Sequence, residues 1–378
     1  MRKLALSDEI LMKVEKPARY IGGEYNSVIK DKDKIDVRFC MCFPDVYEIG
    51  MSHLGIQILY DMFNRREDTW CERVYSPWPD LDAEMRKHAI PLFALESQDP
   101  IKDFDFLGIT LQYEMCYTNI LQVLDLSGIP LRTKDRKKGD TLVIGGGPCS
   151  YNPEPIADFF DIFYMGEGEV SYDELLELYK VYKHSDMTRQ EFLIKVSNIP
   201  GLYVPELYEV TYHEDGTIAS FGPKFDGVPA TVTKTVVMDH SKVTYPEKPV
   251  VSFMKLTQDR VVLEIMRGCI RGCRFCQAGM IYRPTRPKNV DMLKGYAEKM
   301  LASTGHEEIT FSSLSSSDYE DLPELTDCLI EKMDNEHVNI SLPSLRIDAF
   351  SLDVMSKIQD VKKSSLTFAP EAGTQRLR

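Results

Sequence analysis

Cys269, Cys273 and Cys276 form a Cys-x-x-x-Cys-x-x-Cys run, and three thiols this close in sequence can converge on one metal centre. Three thiolates hold three corners of a cubane iron-sulfur cluster; the fourth iron then stays open to an outside ligand, an arrangement suited to chemistry rather than electron storage. Just before the run, Val261-Val262-Leu263-Glu264-Ile265 is β-branched and apolar and predicts a buried strand feeding the loop. Gly268 and Gly272 are expected to supply the bends, because a straight helix would spread the sulfurs along one side. Phe275 puts a ring beside whatever caps the open iron.

A zinc site, a disulfide with a spare thiol, and three core cysteines are the competing readings. Structural zinc takes four ligands, usually as two separated pairs, and the nearest downstream candidates are His306 and Cys328. Core cysteines would not stand among Arg267, Arg271 and Arg274. With Arg283, Arg286 and Lys288 these arginines make a positive island from Ile265 to Lys288 that holds no acidic residue. The island either offsets thiolates and a cofactor carboxylate, the preferred reading, or meets an anionic substrate. The formal net charge of −14 argues against broad attraction to nucleic acid, which uses a basic face.

The loop resembles that of the radical S-adenosylmethionine superfamily, which carries the same cysteine spacing with an aromatic before the last cysteine, here Phe275. The resemblance implies a [4Fe–4S] cluster on Cys269, Cys273 and Cys276. It also implies S-adenosylmethionine chelated to the open iron, a reducing electron donor, and one-electron cleavage to a 5'-deoxyadenosyl radical. Ser-Ser-Leu-Ser-Ser-Ser-Asp-Tyr at 312–319 sits where the superfamily binds the methionyl amine, although the usual Gly-Gly-Glu is absent. Ala369-Pro370-Glu371-Ala372-Gly373-Thr374 resembles a later cofactor-contact motif. Ser312, Ser313, Ser315, Arg346 and Glu371 are therefore the expected cofactor contacts, at the strand ends where parallel barrels place their ligand groups.

The elements that must position these groups read as α/β. Residues 1–30 form an amphipathic lead segment, a helix and a turn. Over 31–186 strand and helix alternate, with strands expected near 35–43, 91–96, 106–112, 141–145 and 161–165, which predicts a doubly wound parallel sheet. Helices with acidic first turns begin near Asp80 and Ser171. Gly145, Gly146, Gly147 and Gly166 fall at strand carboxyl ends, where such sheets bind ligands. This order of loops resembles the cobalamin-binding-like N-terminal domain found on many radical S-adenosylmethionine proteins. The region around His53 departs from the Asp-x-His-x-x-Gly pattern, so any cobalamin is expected to bind with no histidine on cobalt.

Residues 187–255 read as a small α+β linker, with a helix over Met187–Ser197 and a hairpin flanking 213–217. Residues 256–378 read as a partial βα barrel, the radical S-adenosylmethionine core. Helices are expected near 290–303, 322–333 and 351–358, and strands at 308–311, 338–342 and 365–368. The superfamily barrel usually has six such units and the sequence stops past a fourth strand, so a truncated core is expected.

The expected function is a radical S-adenosylmethionine enzyme of methylation or methylthiolation type, acting on an unknown substrate that includes RNA or protein among its candidates. Its rivals are a non-catalytic cluster-binding or assembly module and a zinc-stabilised nucleic-acid binder. Nine cysteines, a start that breaks into Ser7-Asp8-Glu9 too early for a signal peptide, and no apolar run of membrane length point to the cytoplasm and no membrane partner. Cys40 and Cys42 alternate on one strand and are expected in its core.

Overall fold

The computed structural model describes residues 3–333, 338–346 and 368–377. The chain packs as two compact units, Met1–Val237 with Ser252–Thr257, and Met238–Val251 with Gln258–Arg378.

The first unit is built on a six-stranded sheet of β1 (Val37–Phe43), β2 (Thr69–Tyr75), β3 (Phe106–Thr110), β4 (Leu142–Gly146), β5 (Ile162–Tyr164) and β6 (Leu202–Tyr203), in the order β2-β1-β3-β4-β5-β6. The first five strands run parallel and β6 runs antiparallel to β5. Its helices are α1 (Asp8–Leu11), α2 (Tyr47–Gly50), α3 (Leu54–Asn64), α4 (Pro79–His88), α5 (Tyr117–Ser127), α6 (Tyr172–Lys183) and α7 (Arg189–Val196). Continuous apolar runs such as Phe39–Phe43 belong to parallel strands because helices cover them. Phe39 of β1 stacks on Phe63 of α3 at 4.4 Å and meets the ring of Tyr172 of α6 edge-on at 5.9 Å. Cys40 and Cys42 are fully buried in β1, as expected for core thiols. The acidic first turns of α4 and α6 are Asp80 with Asp82, and Asp173 with Glu174.

One expected strand is corrected. Residues 91–96 do not form a strand; they contribute an isolated bridge between Phe93 and Pro100, and the place beside β1 is taken by Thr69–Tyr75. The charges in Cys71-Glu72-Arg73 hid that strand, since a fully buried strand should read as apolar. The fold hides them instead: Arg73 pairs with Glu24 at 3.0 Å and Glu96 at 2.6 Å, and Glu72 pairs with Arg38 at 2.5 Å. Pro91 withholds a ladder donor from the displaced segment, and Leu95 keeps a single backbone bond to Arg73.

Within the stretch expected as a linker, α7 stacks on α6 through Phe192 and Tyr182 at 4.3 Å, and β6 completes the sheet. The expected hairpin is β7 (Tyr208–Tyr212) with β8 (Ile218–Pro223).

The second unit contains β9 (Val261–Glu264), β10 (Met266–Arg267), α8 (Gln277–Ile281), β11 (Arg286–Pro287), α9 (Val290–Thr304), β12 (Glu308–Ser312), α10 (Leu322–Met333), β13 (Asn339–Ser341), β14 (Leu345–Arg346) and β15 (Phe368–Ala369). Strands β9, β12 and β13 lie side by side and parallel, with α9 and α10 returning between them. Leu263, Ile309 and Phe311 from the sheet and Leu293, Ala297, Leu325 and Leu329 from the helices make a fully buried core. Helix α9 starts where Asn289 accepts the Asp291 N–H at 2.8 Å and stops at Gly305, whose φ of 72° suits a left-handed cap. The helix expected near 351–358 lies outside the described residues, as does most of the strand expected at 365–368. Among the described residues no helix is long and apolar enough to cross a membrane.

Candidate metal centre

Strand β9 delivers the chain to the cysteine loop, and a short antiparallel pair holds both ends of that loop together. Met266 faces Pro287 and Arg267 faces Arg286, so residues 268–285 form a closed excursion. Gly268 makes the first bend at φ 80°, and a Cβ there would lie 2.5 Å from the Pro284 carbonyl oxygen and 2.8 Å from that of Tyr282. Gly272 is different: a Cβ there meets nothing, and its φ is not positive, so the second expected bend does not depend on glycine. Gly268→Ala is accordingly expected to strain the loop by about 1–3 kcal/mol and lower the iron retained after reconstitution and desalting. Gly272→Ala should keep wild-type iron.

All three loop cysteines are free and half-buried. The Arg271 N–H donates to Cys269 Sγ at 3.4 Å and the Gly279 N–H donates to Cys276 Sγ at 3.3 Å. Hydrogen bonds to the sulfurs tune a cluster. Cys276 caps α8, and its own N–H bonds the Cys273 carbonyl at 3.1 Å. Among the described residues no three His, Cys, Asp or Glu side chains stand close enough to share a metal as they are, so binding must draw the thiols together. The donor set fits a soft, thiolate-bound metal centre. Phe275 is 76% exposed beside Cys276.

The loop after β12 comes to the cysteine loop through one ion pair. Arg271 Nε lies 3.0 Å from Asp318 Oδ2, and its Nη2 pairs with Asp318 Oδ1. Asp318 also accepts from the Ser315 hydroxyl at 2.8 Å, and the Arg271 bond, helped by that of Ser315, holds its carboxyl below the usual range. Ser313 and Ser316 share a hydrogen bond of 3.0 Å, and the Arg346 N–H donates to Ser317 Oγ at 3.2 Å. The structure therefore groups Ser312, Ser313, Ser315 and Arg346 near the cysteine loop's partner turn. Glu371 is exposed, two residues past β15, which pairs with β14 at Arg346 and Ala369.

Glu264 and Asp318 are charged neighbours of the loop whose pairing the sequence reading missed. Glu264 lies one residue before the positive island and is the counter-ion that the island seemed to lack. It accepts from Arg267 Nε at 3.0 Å on both oxygens and from Lys288 Nζ at 2.8 Å. Burial alone would raise its carboxyl, yet Lys288 and Arg267 pull it down to about 2. Arg286 donates to the Pro284 and Tyr282 carbonyls, and Arg283 to the Arg271 carbonyl. Most of the island's side chains thus bond within the fold, to Glu264, Asp318 and backbone carbonyls.

The glycine candidates lie in the first unit. A Cβ on Gly145 would strike Leu111 and Phe160, one on Gly147 (φ 125°) would lie 2.8 Å from the Leu111 carbonyl, and Gly166 (φ 112°) is closed against the Thr235 backbone. Gly146 is the open one, with nothing nearer than 3.7 Å. His53 caps α3: its Nδ1 accepts the Ile56 N–H at 3.2 Å, and Gln112 bonds the ring. Burial pushes the imidazole down to about 4 despite Gln112, so it is neutral at pH 7. His53→Ala is expected to cost about 1 kcal/mol of first-unit stability, read in urea by the fluorescence of Trp70 and Trp78.

A three-thiolate loop at the end of a parallel strand, with a second parallel α/β unit ahead of it, defines the class. The domain matches agree: residues 55–205 match the N-terminal family of radical SAM proteins and residues 263–378 match the radical SAM superfamily, so the chain carries two radical SAM domains. A radical SAM domain implies S-adenosylmethionine and a [4Fe–4S] cluster. The uncharacterized protein MJ0966 of Methanocaldococcus jannaschii is 30% identical over 339 residues, 89% of this chain and 61% of that protein. The cobalamin-dependent S-adenosylmethionine radical enzyme OxsB, solved with aqua-cobalamin bound, is similar in fold at a TM-score of 0.52 and 13% identity, over 86% of this chain and 42% of that one. The radical S-adenosylmethionine methyltransferase TsrM from Kitasatospora setae, solved with cobalamin and a [4Fe–4S] cluster, gives a TM-score of 0.46 at 12% identity, over 86% and 56%. The chain spans 61% of the length of MJ0966 and about half or less of these solved chains.

Proposed function

We propose that the chain is a radical S-adenosylmethionine enzyme in which Cys269, Cys273 and Cys276 hold the cluster. When bound, cluster and S-adenosylmethionine together supply a 5'-deoxyadenosyl radical for hydrogen abstraction from a substrate carbon. The chain's own residues do the positioning. Phe275 flanks the adenine, and Ser312, Ser313 and Ser315 with Arg346 and Glu371 serve the remainder of the cofactor. The Ser313 and Ser315 hydroxyls are engaged within their own turn, so Ser312 and the turn's backbone groups are the better donors and acceptors for a ligand.

For the first unit we propose cobalamin held without a histidine on cobalt, since His53 is committed to capping α3. The crevice between β1 and β3, where the strand order reverses, is where such sheets take ligands. Gly146 ends the neighbouring β4 and Gly147 follows it. With cobalamin the reaction is methyl transfer to an unactivated carbon; without it, methylthiolation or rearrangement of RNA or protein. A reducing electron donor completes the partner set, and nine free thiols suit the cytoplasm.

The observation that carries this reading is the closed loop of three free thiols with backbone N–H donors on two of the sulfurs. Its test is anaerobic reconstitution with iron and sulfide, then S-adenosylmethionine and dithionite. The reading expects 5'-deoxyadenosine; a chain that takes up zinc in place of iron, or iron without cleavage, contradicts it.

A further inference from the structure

We propose that Asp318 is a positioning residue that, through the Arg271 guanidinium, sets how the cysteine loop stands against the serine turn after β12. This rests on the cluster reading above and adds the device that aligns its two halves. Arg271 lies between Cys269 and Cys273 and makes contacts in three directions. Its N–H donates to Cys269 Sγ, its carbonyl accepts from Arg283 at 3.0 Å on the returning arm of the loop, and its guanidinium forks onto Asp318.

The partner side is equally connected. Asp318 keeps only 6% of its side-chain surface exposed and closes the turn by accepting from Ser315. The same turn carries Ser316, bonded to Ser313, and Ser317, bonded to the Arg346 N–H. A two-point guanidinium–carboxylate pair fixes direction as well as distance, which a lysine point charge does not. Shifting this pair moves a cluster sulfur's hydrogen-bond donor and the serines together, whereas an ordinary surface ion pair would leave both in place.

The test uses the full chain with Asp318→Asn, Arg271→Gln and Arg271→Lys, the lysine keeping charge without the fork. After anaerobic reconstitution the variants should hold wild-type iron but bind S-adenosylmethionine about ten-fold or more weakly. The change that S-adenosylmethionine causes in the reduced cluster's EPR signal should shrink. Asp318→Glu should recover part of both. Wild-type affinity and EPR response in Asp318→Asn and Arg271→Gln would overturn the proposal, and so would loss of iron from both, since the pair would then build the cluster site and not align it. In the metal-free chain, iodoacetamide should alkylate Cys269, Cys273 and Cys276 faster in Asp318→Asn than in wild type. Equal rates overturn the latch even if the wild type assembles no cluster, a result that would sink the cluster reading separately.

Discussion

Cys273→Ala is expected to leave a folded chain that no longer holds iron: reconstituted iron falls from about four per chain to near zero, and the broad iron–sulfur absorbance goes with it. The physical reason is the small donor set. Each thiolate holds one corner and the loop offers three, so one substitution leaves two. Cys269→Ala and Cys276→Ala should behave alike, and each should abolish 5'-deoxyadenosine formation. Cys328→Ala, on α10 and outside the loop, is the control that keeps iron. Iron and absorbance retained after any one loop substitution would show that the ligand set is wrong.

The second large effect belongs to Glu264. Removing it in Glu264→Ala leaves Lys288, 3% exposed, and Arg267, 11% exposed, without their shared counter-ion at the root of the loop. Breaking a buried pair in this way costs about 3–5 kcal/mol. The loss should fall on the second unit. In urea, the far-UV circular dichroism transition should shift early, while the two tryptophans, both in the first unit, report a wild-type midpoint.

The pH dependence of the same group has a definite sign. Lys288 and Arg267 hold its folded carboxyl down to about 2 against the ordinary 4.5, so its stabilising contribution is complete above pH 4.5 and is lost as pH falls toward 2. Glu264→Gln should flatten the second unit's stability profile across that window. A variant as acid-sensitive as wild type would assign the pH dependence to other carboxylates.

The parts legible in the sequence were those with local signals. The cysteine spacing, the apolar run that became β9 and the glycine at 268 each show within a few residues. Parallel strands β1, β3, β4 and β5 were readable because buried strands are continuously apolar. Strand β2 was not, because its Glu72 and Arg73 have partners at Arg38, Glu24 and Glu96, far away in sequence. The same holds at the site. Arg271 and Asp318 are 47 positions apart, and Lys288 and Glu264 are 24 apart, so only folding reveals which charges cancel. Gly166 illustrates the converse: a glycine at a strand end can serve the chain's own close packing, here against Thr235, as readily as a ligand.

The most direct test of the account is low-temperature EPR of the anaerobically reconstituted, dithionite-reduced chain, recorded before and after S-adenosylmethionine is added. Three thiolates with one open iron predict a [4Fe–4S] signal whose g-values move when the sulfonium donor binds. A cluster signal indifferent to S-adenosylmethionine, or a chain that yields no cluster signal at all, would contradict it.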